Sequence, residues 1–484
     1  MSVWSDLPLL IGGRLVEGRG AAIEVENPAA EERIATVGTA APEQVDAAVA
    51  AARAAFERGP WAGATPADRA AMIDGFADAF DKNVEAFTEA IIDEVGTPIA
   101  VARPLQVQWP AGHLRWYAQQ AAVDRTEQLG EHLDPVRSYS EVAYRPIGVV
   151  AAVTAYNYPL TLAVHKLGAA LAAGCTVVLM PSPRTPVATL LLARAIADSS
   201  LPPGVVNIIV GGADVGRALT SHPDVDKVTF TGSAEVGAHV MRQAAANLNG
   251  VVLELGGKSP AILTADADLA AHVPALHLRY SRNGGQACAA PTRLLVPRQR
   301  WAEFVDLSRE TYERQLVVGD PRDPATVVGP MIDAAHRTRV EKYVADAVAQ
   351  GAAVVAGGGR PEASRGHYVN PVLLADVDNS WPVAQEEIFG PVAVALPYDD
   401  IDDALRIANA TRYGLHAYVY TADVEQGRTL AARLRAGSVS INGGGGFRPD
   451  APMGGFGISG IGREVGRWGI HEFLEPQHVQ WPLG

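Results

Sequence analysis

The run Asn283-Gly284-Gly285-Gln286-Ala287-Cys288 sets one of the chain's two cysteines behind a glycine pair, where a thiol is better placed for chemistry than for filling space. Upstream, Val252-Leu253-Glu254-Leu255-Gly256-Gly257-Lys258 holds an isolated carboxylate in an apolar run that reads as a buried strand entering a glycine turn. A thiolate attacks carbonyl carbon well and a desolvated carboxylate can activate water, so the pair suits the making and hydrolysis of an acyl-thioester. Burial raises such a carboxyl's pKa toward neutrality, which a base of this kind needs. The plainer alternatives are a Cys288 thiol packed as a small hydrophobe, and a Glu254 that caps a turn or pairs with Lys258 or another cation. Cys175, in Ala173-Gly174-Cys175-Thr176-Val177, leads into a buried strand with no charged neighbour and reads as structural.

Positioning these groups requires strands that end where they sit. From Gly148 onward the pattern alternates: Val149 to Val153, Thr176 to Met180, Val205 to Val210, Lys227 to Thr231 and Val251 to Leu255 predict short buried strands. Between them, Thr161 to Ala173, Val187 to Asp198 and Glu235 to Asn247 read as helices. The alternation predicts an α/β fold, a doubly wound parallel sheet with right-handed crossovers and helices on both faces. Its ligand crevice should lie at the carboxyl ends of the strands, where Asn157, Gly232 and Glu254 fall. Earlier, Val45, Val49, Ala52 and Phe56 mark one face of a helix from Pro42 to Phe56. A second α/β unit is expected after Gly256, with a strand over Arg293 to Val296, a helix over Pro330 to Gln350 and a strand over Val392 to Leu396. Alternation around Val142 and Tyr144 is compatible with an exposed ribbon that seeks a partner edge.

A chain of 484 residues is too long for one core and suggests two or three domains, while 48% hydrophobic and 19% charged residues argue against disorder. The most apolar runs are broken well before membrane-spanning length, and the first residues lack the basic flank and apolar run of a signal peptide. Two cysteines give no disulfide framework, so a cytoplasmic location is expected. The net charge of −14 disfavours nucleic acid or an anionic membrane as partner, yet leaves room for an anionic cofactor held by backbone N–H groups. His and Cys show no metal-ligand spacing, so no metal is expected.

Five motifs occur in one order: Thr154-Ala155-Tyr156-Asn157-Tyr158-Pro159, Phe230-Thr231-Gly232-Ser233, Glu254, Cys288 and Glu386-Glu387-Ile388-Phe389-Gly390-Pro391. In these the chain resembles the aldehyde dehydrogenase superfamily, from Asn27-Pro28 to its last strand. The resemblance implies Cys288 as nucleophile, Glu254 as general base, and Asn157 as amide donor to an oxyanion beside the backbone N–H of Cys288. On its own, Asn157 before Tyr158-Pro159 is an ordinary turn residue. Lys166 matches a lysine near the family's active site that influences the thiol or Glu254; a solvated helix lysine is the alternative.

The same resemblance makes Gly232-Ser233-Ala234-Glu235-Val236-Gly237 the pyrophosphate site, with Tyr156, Met180, Ser182 and Leu255 completing a Rossmann-like cofactor pocket. Pattern alone reads only a strand-to-helix turn, because the spacing is not G-x-G-x-x-G. Glu387 and Phe389 would hold the nicotinamide ribose and ring, the alternatives being a surface carboxylate and a core aromatic. One departure stands out: Met180-Pro181-Ser182-Pro183 replaces the family's Lys-Pro-Ser-Glu at the adenosine ribose. NAD is expected ahead of NADP, with Arg184 either reaching a 2′-phosphate or solvated in its turn.

By family position Tyr158, Leu162, His165, Ala287, Ala289 and Phe447 line the substrate tunnel, a mixture implying a medium-sized apolar or aromatic aldehyde. His165 stands where an aromatic is common, which argues against a quaternary-ammonium aldehyde needing an aromatic cage. Arg448 would suit a carboxylated semialdehyde or simply lie on the surface. The implied reaction is NAD(P)-dependent oxidation of an aldehyde to a carboxylic acid through a cysteine thiohemiacetal and thioester. The rivals are a non-catalytic dinucleotide-binding protein and an acylating, coenzyme A-dependent enzyme, against which the retained Glu254 argues. The implied domains are a cofactor domain of residues 1–124 and 148–256 with 457–470 returning to it, a catalytic domain of 257–456, and an oligomerisation element of 125–147 and 471–484. A homodimer or homotetramer follows from that element, in which Val136 to Tyr144 would meet His478 to Trp481.

Overall fold

The computed structural model describes residues 4–362, 365–444, 446 and 448–483. Five parallel strands, side by side in the order Gly250–Glu254, Lys227–Thr231, Val149–Val153, Thr176–Met180 and Val206–Ile208, form the centre of the first sheet. Their Val-, Ile- and Leu-rich runs are buried because helices cover the sheet, among them Pro159–Ala173, Val187–Ala197 and Ala234–Ala245. The expected doubly wound sheet is present, but it is not purely parallel. Antiparallel strands extend both edges, Leu9–Ile11 with Arg14–Val16 on one side and Gly460–Ile461 against Gly250–Glu254 on the other. Gly12 and Gly13, both at positive φ, close the two-residue hairpin at the first edge. The strand expected over Val205 to Val210 is regular only at Val206–Ile208, since the Val205 N–H bonds to the Pro202 carbonyl and the Val210 carbonyl accepts from Ala40.

After Gly256-Gly257 the chain enters a second sheet, ordered Ala353–Gly357, Val372–Ala375, Val392–Tyr398, Pro291–Pro297, Ser259–Leu263, His416–Tyr420 and Ser438–Ile441. Only Ala353–Gly357 runs antiparallel to its neighbour. The helix expected from Pro330 starts later, at Ala334, because the Asp333 carboxylate caps it at 2.7 Å from the His336 N–H while the Met331 N–H bonds to the His367 carbonyl. A third sheet sets Leu474–Pro482 against Ser138–Pro146 and that strand against Glu127–His132. The expected ribbon partners meet with His478 opposite Val142 and Trp481 opposite Tyr139, although Val136 lies in the turn before the strand. No helix among the described residues is long and apolar enough to cross a membrane.

This connectivity fixes where the candidate residues gather. Glu254 closes the last parallel strand of the first sheet, Ser259 opens a central strand of the second, and Cys288 precedes Pro291–Pro297, the strand beside it.

Candidate active site

The Glu254-Leu255-Gly256-Gly257 turn is crossed at close quarters, which explains its glycines. A Cβ on Gly257 would lie 2.4 Å from the Cys288 carbonyl oxygen, and one on Gly256 would lie 2.1 Å from a Glu387 carboxylate oxygen. Gly285, at φ +74°, lets Gly390 and Pro391 pass just as closely behind the thiol. Two distant segments, Gly256-Gly257 and Glu387 to Pro391, therefore meet each other and the loop that carries Cys288.

Glu254 is 3% exposed, and neither of its oxygens has a hydrogen-bond partner among the described residues. Burial drives its pKa well above the usual carboxylate range, and the nearby Glu464 adds to the shift, against the opposite pull of Lys166 and Arg463. The pairing with Lys258 weighed from the sequence does not occur. The Lys258 ammonium is buried, and burial followed by the Arg293 charge brings its pKa down to about 7 against the opposite pull of Glu387 and Glu386. Cys288 is half-buried, and burial, then the Glu387 and Glu254 charges, push its thiol up to about 12, partly offset by the backbone N–H groups of Ala289 and Cys288. Such a thiol is protonated at neutral pH and needs a base to become a nucleophile.

Cys175 is fully buried, its Sγ 3.4 Å from the Phe473 carbonyl, and its thiol is also held near 12 by burial. The two thiols thus differ in access. An alkylating reagent is expected to modify Cys288 first under native conditions and Cys175 only after unfolding; mass spectrometry showing equal rates would contradict this.

Asn157 is 4% exposed and anchored at both ends. Its side-chain amide donates to the Gln286 backbone carbonyl at 2.9 Å, and its backbone carbonyl accepts from Asn283 Nδ2 at 3.1 Å. An amide nitrogen carries two protons, so one remains for a ligand. Gln286, which sequence reading did not single out, is the hub of this loop. Its Nε2 donates to the carbonyls of Asn283 and Pro330, and its Oε1 accepts from the Ile332 N–H and the Tyr156 hydroxyl. Asn283, left-handed at φ +55°, is locked by Thr97, whose hydroxyl donates to its Oδ1 at 2.7 Å. Two side-chain amides, Asn283 and Gln286, bracketing a glycine pair beside a candidate nucleophile are the signal that could have marked both residues.

Lys166 is fully buried, so the solvated alternative is wrong. It forms a buried ion pair with Glu464 and donates to Thr229 Oγ1 at 2.9 Å. Its charge still reaches Glu254. Glu464, 2% exposed, is a second group the sequence did not reveal.

At the crevice, Ser233 caps the helix Ala234–Ala245 by accepting from the Val236 N–H at 3.3 Å, leaving the first backbone N–H groups of the helix directed outward. Thr231 Oγ1, at the same strand end, is buried without a partner among the described residues. The Gly232 N–H bonds to the Glu254 carbonyl, and a side chain at Gly237 would strike Leu255 at 2.6 Å. Donor-rich, small-residue geometry of this kind fits a pyrophosphate. Met180 is buried against Gly216. Ser182 Oγ accepts from the Arg184 N–H, and the Arg184 side chain, half exposed, has two partners. It pairs with Asp333 at 3.2 Å and stacks 5.5 Å over the Tyr156 ring. Glu387 Oε1 accepts from the Gly257 N–H at 3.0 Å, and burial raises its carboxyl to about 7, so it is not a freely solvated surface carboxylate. Phe389, at φ +61°, is half-buried edge-on to Tyr156, its carbonyl 2.7 Å from His336 Nε2.

Of the tunnel candidates, Tyr158, Leu162 and His165 share one face of the helix Pro159–Ala173 and its entry, while Ala287 and Ala289 flank the thiol. Phe447 lies outside the described residues. Arg448 is an exposed surface residue bound to Asp450 at 2.7 Å.

The aldehyde dehydrogenase family profile matches residues 15–479. Geranial dehydrogenase of Castellaniella defragrans is 40% identical over 461 residues, 95% of each chain. Among solved structures, a mutant aldehyde dehydrogenase C of Pseudomonas syringae, complexed with NAD+ and octanal, superposes with a TM-score of 0.92 at 41% identity, covering 98% of this chain and 96% of that one. An aldehyde dehydrogenase of Mycobacterium tuberculosis complexed with NAD+ superposes with a TM-score of 0.95 at 42% identity, covering 100% and 99%.

Proposed function

The chain belongs to the aldehyde dehydrogenase family and is an aldehyde dehydrogenase, and on that premise we propose that it oxidises a medium-sized apolar or aromatic aldehyde to its carboxylic acid with NAD as acceptor. The observation that carries the hydrolytic reading is Glu254, a buried carboxylate without a protein partner among the described residues, within electrostatic reach of Cys288. Cys288 Sγ adds to the aldehyde carbon after its proton passes to a water molecule, and the oxyanion so formed takes the free N–H of Asn157 and the backbone N–H of Cys288. A bound nicotinamide dinucleotide supplies the hydride acceptor. Glu254 then takes a proton from the water that attacks the thioester, which releases the acid and restores the thiol. Lys166 and Glu464 hold opposite charges beside Glu254 and so set its readiness to take that proton.

Ser233, Gly232, Thr231 and Gly237 would receive the pyrophosphate, with Tyr156, Met180, Ser182 and Leu255 around the nucleotide and Glu387 and Phe389 at the nicotinamide end. NAD is favoured over NADP because Arg184, the cation nearest the altered Met180-Pro181-Ser182-Pro183 turn, is already engaged by Asp333 and Tyr156. Relatives complexed with NAD+ support the same choice. An apolar substrate agrees with a relative named for geranial and another complexed with octanal. The first sheet would serve as the cofactor domain and the second as the catalytic domain, and two free cysteines support a cytoplasmic setting.

The test is absorbance at the reduced-nicotinamide band with aliphatic, aromatic and carboxylated aldehydes, using NAD and NADP separately, followed by product identification with and without coenzyme A. Free acid formed faster with NAD is expected; an acyl-coenzyme A product would replace this reading with the acylating one. Removing the amide donor by Asn157→Ala should lower kcat on the order of 10²- to 10³-fold. Steady-state kinetics within a few-fold of the parent would dismiss the oxyanion role.

Assembly as a dimer or tetramer through the third sheet is part of the proposal. Leu129, Leu133 and Val136 are 59%, 71% and 59% exposed there, a cost that a partner subunit would relieve. Deleting residues 478–484 strips the far end of Leu474–Pro482 and should lower the sedimentation coefficient to that of a smaller assembly. Unchanged sedimentation would show that the strand is not the contact.

A further inference from the structure

Tyr158, Leu162 and His165 follow one another at spacings of four and three along the helix Pro159–Ala173, so they line one stripe of its surface. The stripe begins near the nucleophile, since Cys288 is among the charges that act on the Tyr158 phenol. Seven residues of helical rise separate Tyr158 from His165, roughly 10 Å at 1.5 Å per residue. Opposite stands the helix Trp109–Ala121, which presents Trp109 and, one turn on, His113, their rings edge-on at 5.1 Å. Just before it the chain makes a π-helical segment, Ala102–Gln108, whose Leu105 carbonyl accepts from the Thr161 hydroxyl at 3.4 Å. Such widened turns are frequent beside functional sites.

Where the two walls meet, His165 Nε2 lies 3.1 Å from His113 Nδ1 and the rings stack at 18°. The rings are 3% and 2% exposed. Their outer nitrogens, His165 Nδ1 and His113 Nε2, are buried and have no partner among the described residues. Unsatisfied buried polar atoms of this kind are costly and call for an explanation. Burial holds both imidazoles neutral, with pKa values brought down to about 3. A neutral pair joined by one N–H···N bond has a fixed remainder. If His165 donates, its Nδ1 is a bare acceptor and His113 Nε2 carries a proton; if His113 donates, the two outer nitrogens exchange roles. Either way the pair offers one donor and one acceptor, and the two arrangements differ by the bridging proton and the outer proton moving together.

We propose that the His113–His165 pair recognises an uncharged hydrogen-bonding group, a hydroxyl or a carbonyl oxygen, on the tail of the aldehyde. The inference rests on the dehydrogenase reading above and narrows its substrate class from apolar aldehydes to those bearing one neutral polar group remote from the reacting carbon. A hydroxyl suits both tautomers, whereas a carboxylate or ammonium meets a pair that cannot supply the opposite charge. An all-carbon tail leaves both outer nitrogens unsatisfied.

The test compares kcat/KM for octanal and 8-hydroxyoctanal in the full-length enzyme and in the double variant His113→Leu/His165→Leu. Replacing both partners at once leaves no orphaned imidazole, and the substrate ratio cancels any loss common to both aldehydes. The expected result is a shift of that ratio toward octanal by roughly tenfold or more, carried by KM because the tail group is remote from the chemistry. His165→Gln, which keeps a donor and an acceptor, should retain part of the parent's preference. A ratio unchanged in the double variant would overturn the proposal and leave the pair a packing or water-holding feature. If the parent oxidises neither aldehyde, the dehydrogenase reading fails separately and protection of Cys288 from alkylation decides. Better protection by 1,8-octanediol than by 1-octanol in the parent, lost in the double variant, supports the site, and equal protection refutes it.

Discussion

Cys288→Ala should abolish aldehyde oxidation, with kcat falling on the order of 10⁶-fold, as when a covalent nucleophile is removed from its catalytic group. The size of the effect follows from the role. No neighbouring thiol can substitute, because Cys175 is fully buried and its Sγ lies against the Phe473 carbonyl. The same substitution should leave the fold nearly untouched. The side chain is half-buried, and the loop around it is held by Asn157, Gln286 and Asn283 rather than by the sulfur. Dinucleotide binding, read by quenching of intrinsic fluorescence, should therefore persist when turnover is gone. Cys175→Ala should do the reverse, keeping activity while lowering Tm, since it empties part of a fully buried site. A Cys288→Ala protein that still turns over within tenfold of the parent would return the thiol to the structural role weighed for it from the sequence.

Much of this site could be read in the sequence because its chemistry sits at chain features with strong local signals. Glu254 is an acid inside a β-rich run and Cys288 follows two glycines, and those glycines prove necessary for close passage and positive φ. The strand and helix alternation also marked the crevice, because period and turn residues are local properties. What supports the site was not legible. Lys166 and Glu464 meet across 298 residues, and the Gln286 side chain is satisfied by segments 44 and 46 residues away, so no local pattern encodes either contact. Lys166 consequently read as an open choice between solvent and site, and burial decided it. Arg184 illustrates the same limit. Its type left a phosphate and a solvated turn both open, and its partner in the structure, Asp333, lies beyond the catalytic turn as the cap of another helix, where no local pattern pointed. The antiparallel edge strands were missed for a different reason, since strands of three and two residues carry almost no periodicity.

Glu254→Gln should separate the two halves of the reaction. Glutamine keeps the shape of the side chain and loses the acceptor for a proton, so thioester hydrolysis should slow by roughly 10²- to 10⁴-fold. The first half need not slow with it. The Glu254 charge is one of the groups that push the Cys288 thiol toward 12, and removing it lowers that pKa and favours the thiolate. Rapid mixing should then show about one equivalent of reduced nicotinamide per active site followed by a nearly flat trace, where the parent shows continuous formation. Absence of the burst would make Glu254 the base for the thiol as well, and undiminished steady-state turnover would remove it from the mechanism. The pH dependence carries the same signature. Because burial raises the Glu254 pKa above the usual carboxylate range, only its ionised fraction can accept a proton, so parent kcat should climb with pH over a range higher than an ordinary carboxylate would give, and the variant should lose that limb. Stability runs in the opposite direction. A carboxyl whose folded pKa lies above its unfolded value of about 4.3 stabilises the fold fully only below that unfolded value, and the contribution is lost as pH rises toward the folded pKa. Above its folded pKa the parent therefore bears the cost of an ionised, unpartnered, buried carboxylate that the glutamine variant does not, so the parent's Tm should fall relative to the variant's as pH rises. A parent Tm that holds or gains on the variant's as pH rises would mean that Glu254 holds the fold together rather than being kept, at a cost to stability, for its proton.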